Sequence, residues 1–113
     1  MANHKLDRIT TEISRYVSQI LLTEVEDEIL KSITITDCEV TRDLSYATLY
    51  FSSFTDLSSE ELENRLEASS HFIRGKLSSL IELRHTPQLR FKFDKTIAEG
   101  KKIESIIKKI HNN

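Results

Sequence analysis

The sequence is poor in the residues on which small catalytic domains usually depend: its 113 residues include two glycines, one proline, one cysteine and no tryptophan. With Gly75 and Gly100 alone, it cannot build a phosphate-cradling loop on repeated glycines, which disfavours nucleotide-dependent catalysis. The same scarcity leaves no Gly/Ser/Pro-rich linker, so one domain folded almost throughout is expected. Cys38 has no second cysteine to pair with inside the chain, and its place in an apolar strand pattern reads as a buried core thiol. The longest uncharged stretch, Leu44 to Thr55, is far too short for a membrane span and mixes hydroxyls with apolar residues. Met1 to Thr10 already carries charges where a secretory signal needs an apolar core, so the expected location is the cytoplasm, with no membrane contact.

Catalytic constellations are missing as well. His4, His71, His85 and His111 lack the short spacing of a zinc site, so neither a metal nor a cofactor is expected. Glu24, Glu26, Asp27 and Glu28 fall at a helix end, where solvated carboxylates are the usual outcome. The serine pairs lack the flanking glycines of a nucleophile elbow. No group of residues offers a nucleophile, a base and an oxyanion donor together, so the chain reads as a docking domain and not an enzyme.

Charge is abundant but segregated. Residues 1–70 hold 6 Lys/Arg against 14 Asp/Glu, while residues 71–113 hold 10 against 4, so a formal net charge of −2 hides halves of −8 and +6. A positive half fits a phosphate-binding surface, because Lys and Arg release condensed counterions from a polyanion. It fits equally a solubilising pattern that the fold mixes in space.

Leu6, Ile9, Ile13, Val17, Ile20 and Leu21 recur at steps of three and four and predict an amphipathic helix over about 4–23, with Arg8, Glu12, Arg15 and Gln19 outward. The β-branched run Ser32 to Val40 predicts a strand whose inward set changes near Thr36 or Asp37, as at a bulge. Thr41 to Ser45 makes a turn, and alternation from Tyr46 to Phe54 completes a hairpin. Ser58 with Glu61 is a capping box opening a helical stripe of Leu62 and Leu66. Phe72, Ile73, Leu77, Leu80 and Ile81 continue helical spacing beyond Ser69-Ser70, as one bent helix or two consecutive ones. Pro87 stops the helix, and Leu89, Phe91 and Phe93 alternate in a third strand. Ile97, Ile103, Ile106, Ile107 and Ile110, interleaved with lysines, suggest a short closing helix.

The expected architecture is an α+β, αββααβ two-layer sandwich, with helices on one face of a three-stranded sheet and the other face wet. Arg74, Lys76, Arg84, Arg90 and Lys92 stand near its junctions as candidate phosphate contacts. Tyr46 and Tyr50 beside Arg90 and Lys92 could stack bases, but the element order differs from that of an RRM, and shielding of the sheet is the favoured role.

Asp43-Leu44-Ser45-Tyr46-Ala47, then Phe72-Ile73-Arg74, then Leu83-Arg84 with Pro87, Leu89, Phe91 and Asp94, resemble the ribosome-binding factor A family in order and spacing. The resemblance implies a KH-type II-like fold, with residues 1–95 as an RNA-binding domain and 96–113 as a basic helix or tail. It implies a non-catalytic assembly factor that binds the free small (30S) subunit or its precursor and assists late maturation of 16S rRNA; a monomer is expected. Arg8, Arg15 and Lys95 would then be outer RNA contacts. In that family an Ala-x-Gly helix kink replaces the GXXG loop of KH domains; here it falls on Ser69-Ser70-His71, with His71 at the glycine position. The alternative is a protein-interaction adaptor whose acidic stretch, Glu24 to Asp56, binds a basic ribosomal protein or an assembly GTPase.

Overall fold

The structure, a computed structural model, describes residues 4–95. The closing helix expected within 96–113 lies outside the described residues.

Helix α1, His4–Thr23, buries Ile9, Ile13, Val17, Ile20 and Leu21 and leaves Arg8, Arg15 and Gln19 exposed, as the spacing predicts. The acidic stretch that follows is more ordered than its composition suggests. Asp27 accepts the Ile29 N–H at 2.8 Å and caps a one-turn helix α2, Glu28–Lys31, which buries Leu30. Four residues are too few to show a helical period, so only the Asp27 cap marks α2 in the sequence.

Strands β1, Thr34–Val40, and β2, Tyr46–Ser52, pair antiparallel, with a register shift between Ile35 and Asp37 at the expected bulge. The turn between them is fixed by Asp43, whose carboxylate accepts the Thr41 hydroxyl at 2.8 Å and the Ser45 N–H at 3.1 Å. Those bonds favour its charged form and lower its pKa. They hold Leu44 at φ 62°, a left-handed conformation that L residues other than Gly, Asn and Asp seldom adopt. The Leu44 side chain is packed against the core.

Helix α3, Ser59–Leu80, starts where Ser58 accepts the Glu61 N–H at 3.1 Å. Leu62, Leu66, Ile73 and Leu77 are all buried. The seven residues from Leu66 to Ile73 make two turns, so the stripe keeps its phase through Ser69-Ser70. That is why the consecutive helices of the expected αββααβ order are one continuous helix of 22 residues. Phe72 and Leu80, assigned from sequence to the same apolar spacing, are 46% and 42% exposed. Phe72 lies about 100° around the helix from Ile73, and Leu80 is its last residue.

Strand β3, Gln88–Phe93, pairs parallel to β2, giving a mixed sheet of order β1-β2-β3. Ala47, Leu49 and Phe51 of the central strand are wholly buried, and Phe93 meets Phe51 edge to face with centroids 5.7 Å apart. Helix α1 packs on β1, α3 on β3, and the two helices on each other, which gives the α+β two-layer arrangement expected. Cys38 is buried in that core, where desolvation first, then Asp37 and Glu39, push its pKa up to about 12. The opposite sheet face presents Glu39, Tyr46, Thr48, Tyr50, Arg90 and Lys92.

Candidate nucleic-acid interface

The fold sorts the candidate cations into different surroundings. On the open sheet face, Arg90 stacks over Tyr46, its guanidinium carbon 4.0 Å from the ring centroid, while the Tyr50 hydroxyl donates to Glu39 at 3.2 Å. Neither ring is therefore bare. Lys92 and Lys95 line a hollow of about 770 Å³ that Asp37, Glu39, Glu63 and Asp94 also line, so carboxylates offset their charge. Lys76 sits on the flank of α3 that faces the end of α1, with its ammonium 3.7 Å from Glu24. Arg8 and Arg15 are exposed on α1; Arg15 lies 5.1 Å over Tyr16 and borders β1 near Thr36 and Asp37, at the sheet edge opposite β3.

One concavity carries positive charge without a carboxylate among its lining residues. It lies between one flank of α3 and the connection to β3, has a volume of about 260 Å³, and is lined by His71, Arg74, Ser78, Arg84 and His85 together with Gly75 and Thr86. Residues 71, 74, 75 and 78 recur at helical steps and so share one side of α3. The connection is held against them by Arg74: Nη2 donates to the Thr86 carbonyl at 2.7 Å, and Nε to the Thr86 and Pro87 carbonyls at 3.1 and 3.2 Å. Gln88 then donates its N–H to the Ser45 carbonyl at 2.9 Å, joining the connection to the hairpin turn. Two of the sequence motifs singled out, Asp43 to Ala47 and the one that begins at Leu83-Arg84 with Pro87, thus converge beside α3.

His71 lies in this cleft, exposed on an unbroken helix. Ser69 and Ser70 are half-buried, and the Ser70 hydroxyl donates to the Glu67 carbonyl at 2.7 Å. The cleft brings together Arg74, Arg84 and His71 from the sequence-based set and leaves Lys76, Arg90, Lys92, Lys95, Arg8 and Arg15 outside its lining. Sequence reasoning missed Ser78, His85 and Gly75, although the i, i+4, i+7 spacing of His71, Gly75 and Ser78 was there to be counted.

Gly75 has nothing within 4 Å of where a Cβ would stand, so packing does not require it. Gly75→Ala should raise stability by about 0.5–1 kcal/mol through helix propensity, read as a higher urea midpoint. If the bare backbone is there for a ligand, the same variant binds RNA more weakly; equal binding would assign Gly75 no part in docking.

Among the described residues, no group of three or more His, Cys, Asp or Glu side chains is placed to hold a metal ion, and no helix is long and apolar enough to cross a membrane.

A three-stranded mixed sheet covered by two long helices, with a basic cleft at a helix-to-strand connection, defines a small KH-like α+β domain. The ribosome-binding factor A family model matches residues 5–107. A ribosome-binding factor A from Ligilactobacillus salivarius is 36% identical over 115 residues, covering 99% of this chain and 97% of the relative. The chain belongs to the ribosome-binding factor A family. Among solved structures, the crystal structure of ribosome-binding factor A from Thermus thermophilus superposes with a TM-score of 0.71 at 18% identity, covering 78% of this chain and 93% of that one. A homology model of the Thermus thermophilus factor, fitted into the cryo-EM map of a 30S complex, matches with a TM-score of 0.63 at 19% identity, over 74% and 88% of the two chains.

Proposed function

We propose that this chain binds the free small ribosomal subunit or its precursor, as a cytoplasmic monomer, and assists late maturation of 16S rRNA by docking without catalysing a reaction. Family membership and the related factor's place in a 30S complex support the partner. The observation that carries the mode of binding is the carboxylate-free basic cleft between α3 and the connection to β3.

In this reading residues 1–95 dock and 96–113 form a basic extension. Arg84 is the principal phosphate contact, because it is exposed and no hydrogen bond or ion pair occupies it among the described residues. His71, Ser78 and His85 add donors beside it; of the stretch Ser69-Ser70-His71, His71 faces the RNA, while Ser69 lines the other flank of α3. Arg74 is a positioning residue, since its guanidinium is spent on Thr86 and Pro87. Arg90 extends the contact along β3, Lys92, Lys95, Arg8 and Arg15 lie at its margin, and Lys76 is turned away toward Glu24. Phosphates need no base-specific partner here, so shape and backbone charge dominate recognition.

Ultraviolet crosslinking of the full chain to immature small subunits, followed by mapping of the crosslinked peptides, tests this assignment. RNA crosslinks should fall in residues 71–92. Crosslinks confined to ribosomal proteins, and to Glu24 through Asp56, would instead establish the adaptor mode.

A further inference from the structure

On the other flank of α3, away from the basic cleft, a groove of about 410 Å³ runs against the α1–α2 connection. Val25 and Leu30, both buried, form its floor; Ala68 and the half-exposed ring of Phe72 form one wall. Its rim holds Glu24, Glu26 and Asp27. Asp27 is engaged by the Ile29 N–H and by Arg65 at 3.2 Å, and Glu24 faces Lys76 at 3.7 Å. Glu26 is exposed and has no partner among the described residues, so the rim keeps an uncompensated negative charge.

We propose that this groove is a second docking surface, which takes a lysine- or arginine-rich polypeptide segment that lays one apolar side chain against Phe72. Lys76 displays the recognition chemistry within the chain itself: its ammonium lies 5.6 Å over the Phe72 ring and 3.7 Å from Glu24. A cation above an aromatic face and beside a carboxylate is favourable on both counts. Lys76 and Glu24 are each about half exposed, so an incoming lysine or arginine can displace Lys76 at little cost or join it at Glu26. RNA is disfavoured here, because the rim has no unpaired cation among the described residues and Glu26 leaves it a net negative charge that repels phosphates. The surroundings of the two flanks of α3 therefore differ in charge, about one turn apart along the helix, one suited to RNA and the other to a cationic protein segment.

The test is a titration of the ¹⁵N-labelled full chain with the blocked peptide Lys-Lys-Leu-Lys-Lys, followed by amide shifts. Glu-Glu-Leu-Glu-Glu and Lys-Lys-Ser-Lys-Lys serve as controls. Saturable shifts should be confined to residues 24–30 and 68–76, be absent with the acidic peptide, and weaken with the serine peptide. Glu26→Lys and Phe72→Ser should each lower the peptide affinity about fivefold, as expected for an ion pair or an apolar and cation–π contact near the surface. Their amide spectra report whether each variant remains folded, and Glu26→Lys alters an exposed side chain only. Absence of saturable shifts in these residues, equal shifts with the acidic peptide, or shifts centred on Asp37 and Glu39 would overturn the proposal. So would concentration-dependent self-association abolished by Glu26→Lys, which would make a second copy the occupant. Measuring RNA binding on the same variants separates the two surfaces: RNA affinity that stays within twofold or so of the parent while peptide binding is lost belongs to an independent groove.

Discussion

Arg84→Glu should lower the affinity of the chain for small-subunit RNA by about ten- to a hundredfold at low salt while leaving its stability within about 0.5 kcal/mol of the parent. Loss of a charge-assisted phosphate contact accounts for roughly 1.5–3 kcal/mol. Reversal adds repulsion of the phosphate itself, and the new carboxylate offsets the positive charge that Arg74 gives the cleft. Stability is spared because Arg84 is exposed and makes no hydrogen bond or ion pair among the described residues. Arg84→Gln should give a smaller loss, since it removes the charge without reversing it. Filter binding and a urea melt on the same preparations check both halves; unchanged RNA affinity would remove Arg84 from the interface.

Arg74→Ala should behave in the opposite way, with a stability loss of about 2–3 kcal/mol as the primary effect. Its guanidinium ties the helix to the carbonyls of Thr86 and Pro87, and Pro87 is buried, so truncation leaves acceptors without their donor. Arg74→Lys keeps the charge but presents no planar fork, so a loss of about 1 kcal/mol or more should remain. A purely electrostatic phosphate contact would be rescued by lysine. RNA binding by Arg74→Ala should fall because the connection bearing Arg84 and His85 loosens, and amide exchange in residues 82–88 should speed up. Full stability in Arg74→Lys combined with full binding would contradict a positioning role.

These two arginines show how far the sequence could be read. Both were visible as cations near a helix end, but one is directed at solvent and the other at backbone carbonyls twelve or thirteen residues away. Side-chain type does not carry that difference, because carbonyl partners leave no mark in residue identity. Strands and long helices were legible for a physical reason: a period of two in Leu89, Phe91 and Phe93, and of 3.6 in Ile9, Ile13 and Val17, reports which face meets the core. The bulge was legible too, because Ile33 and Cys38 cannot share one face of an unbroken alternation. Helix α2 was not, being too short to repeat. The stretch at Ser69-Ser70 looked like a break because serines interrupt the apolar stripe, yet half-buried serines fill the turn between Leu66 and Ile73 without shifting its phase. Segregated charge along the chain proved a coarse guide. Lys92 and Lys95 belong to the positive half, but folding sets them beside Asp37, Glu39 and Glu63. Conversely, the acidic half contributes Glu24 to a lysine on α3.

The salt dependence of RNA binding tests the proposed docking most directly. With Arg74 bound to carbonyls, Lys76 turned to Glu24 and Lys92 set among carboxylates, about two cations, Arg84 and Arg90, remain for phosphates, so log affinity should fall against log salt with a slope near −1.5 to −2. Arg84→Glu should make that slope shallower by about one. A flat salt response of the parent chain, or a slope that Arg84→Glu leaves unchanged, would contradict docking through the basic cleft.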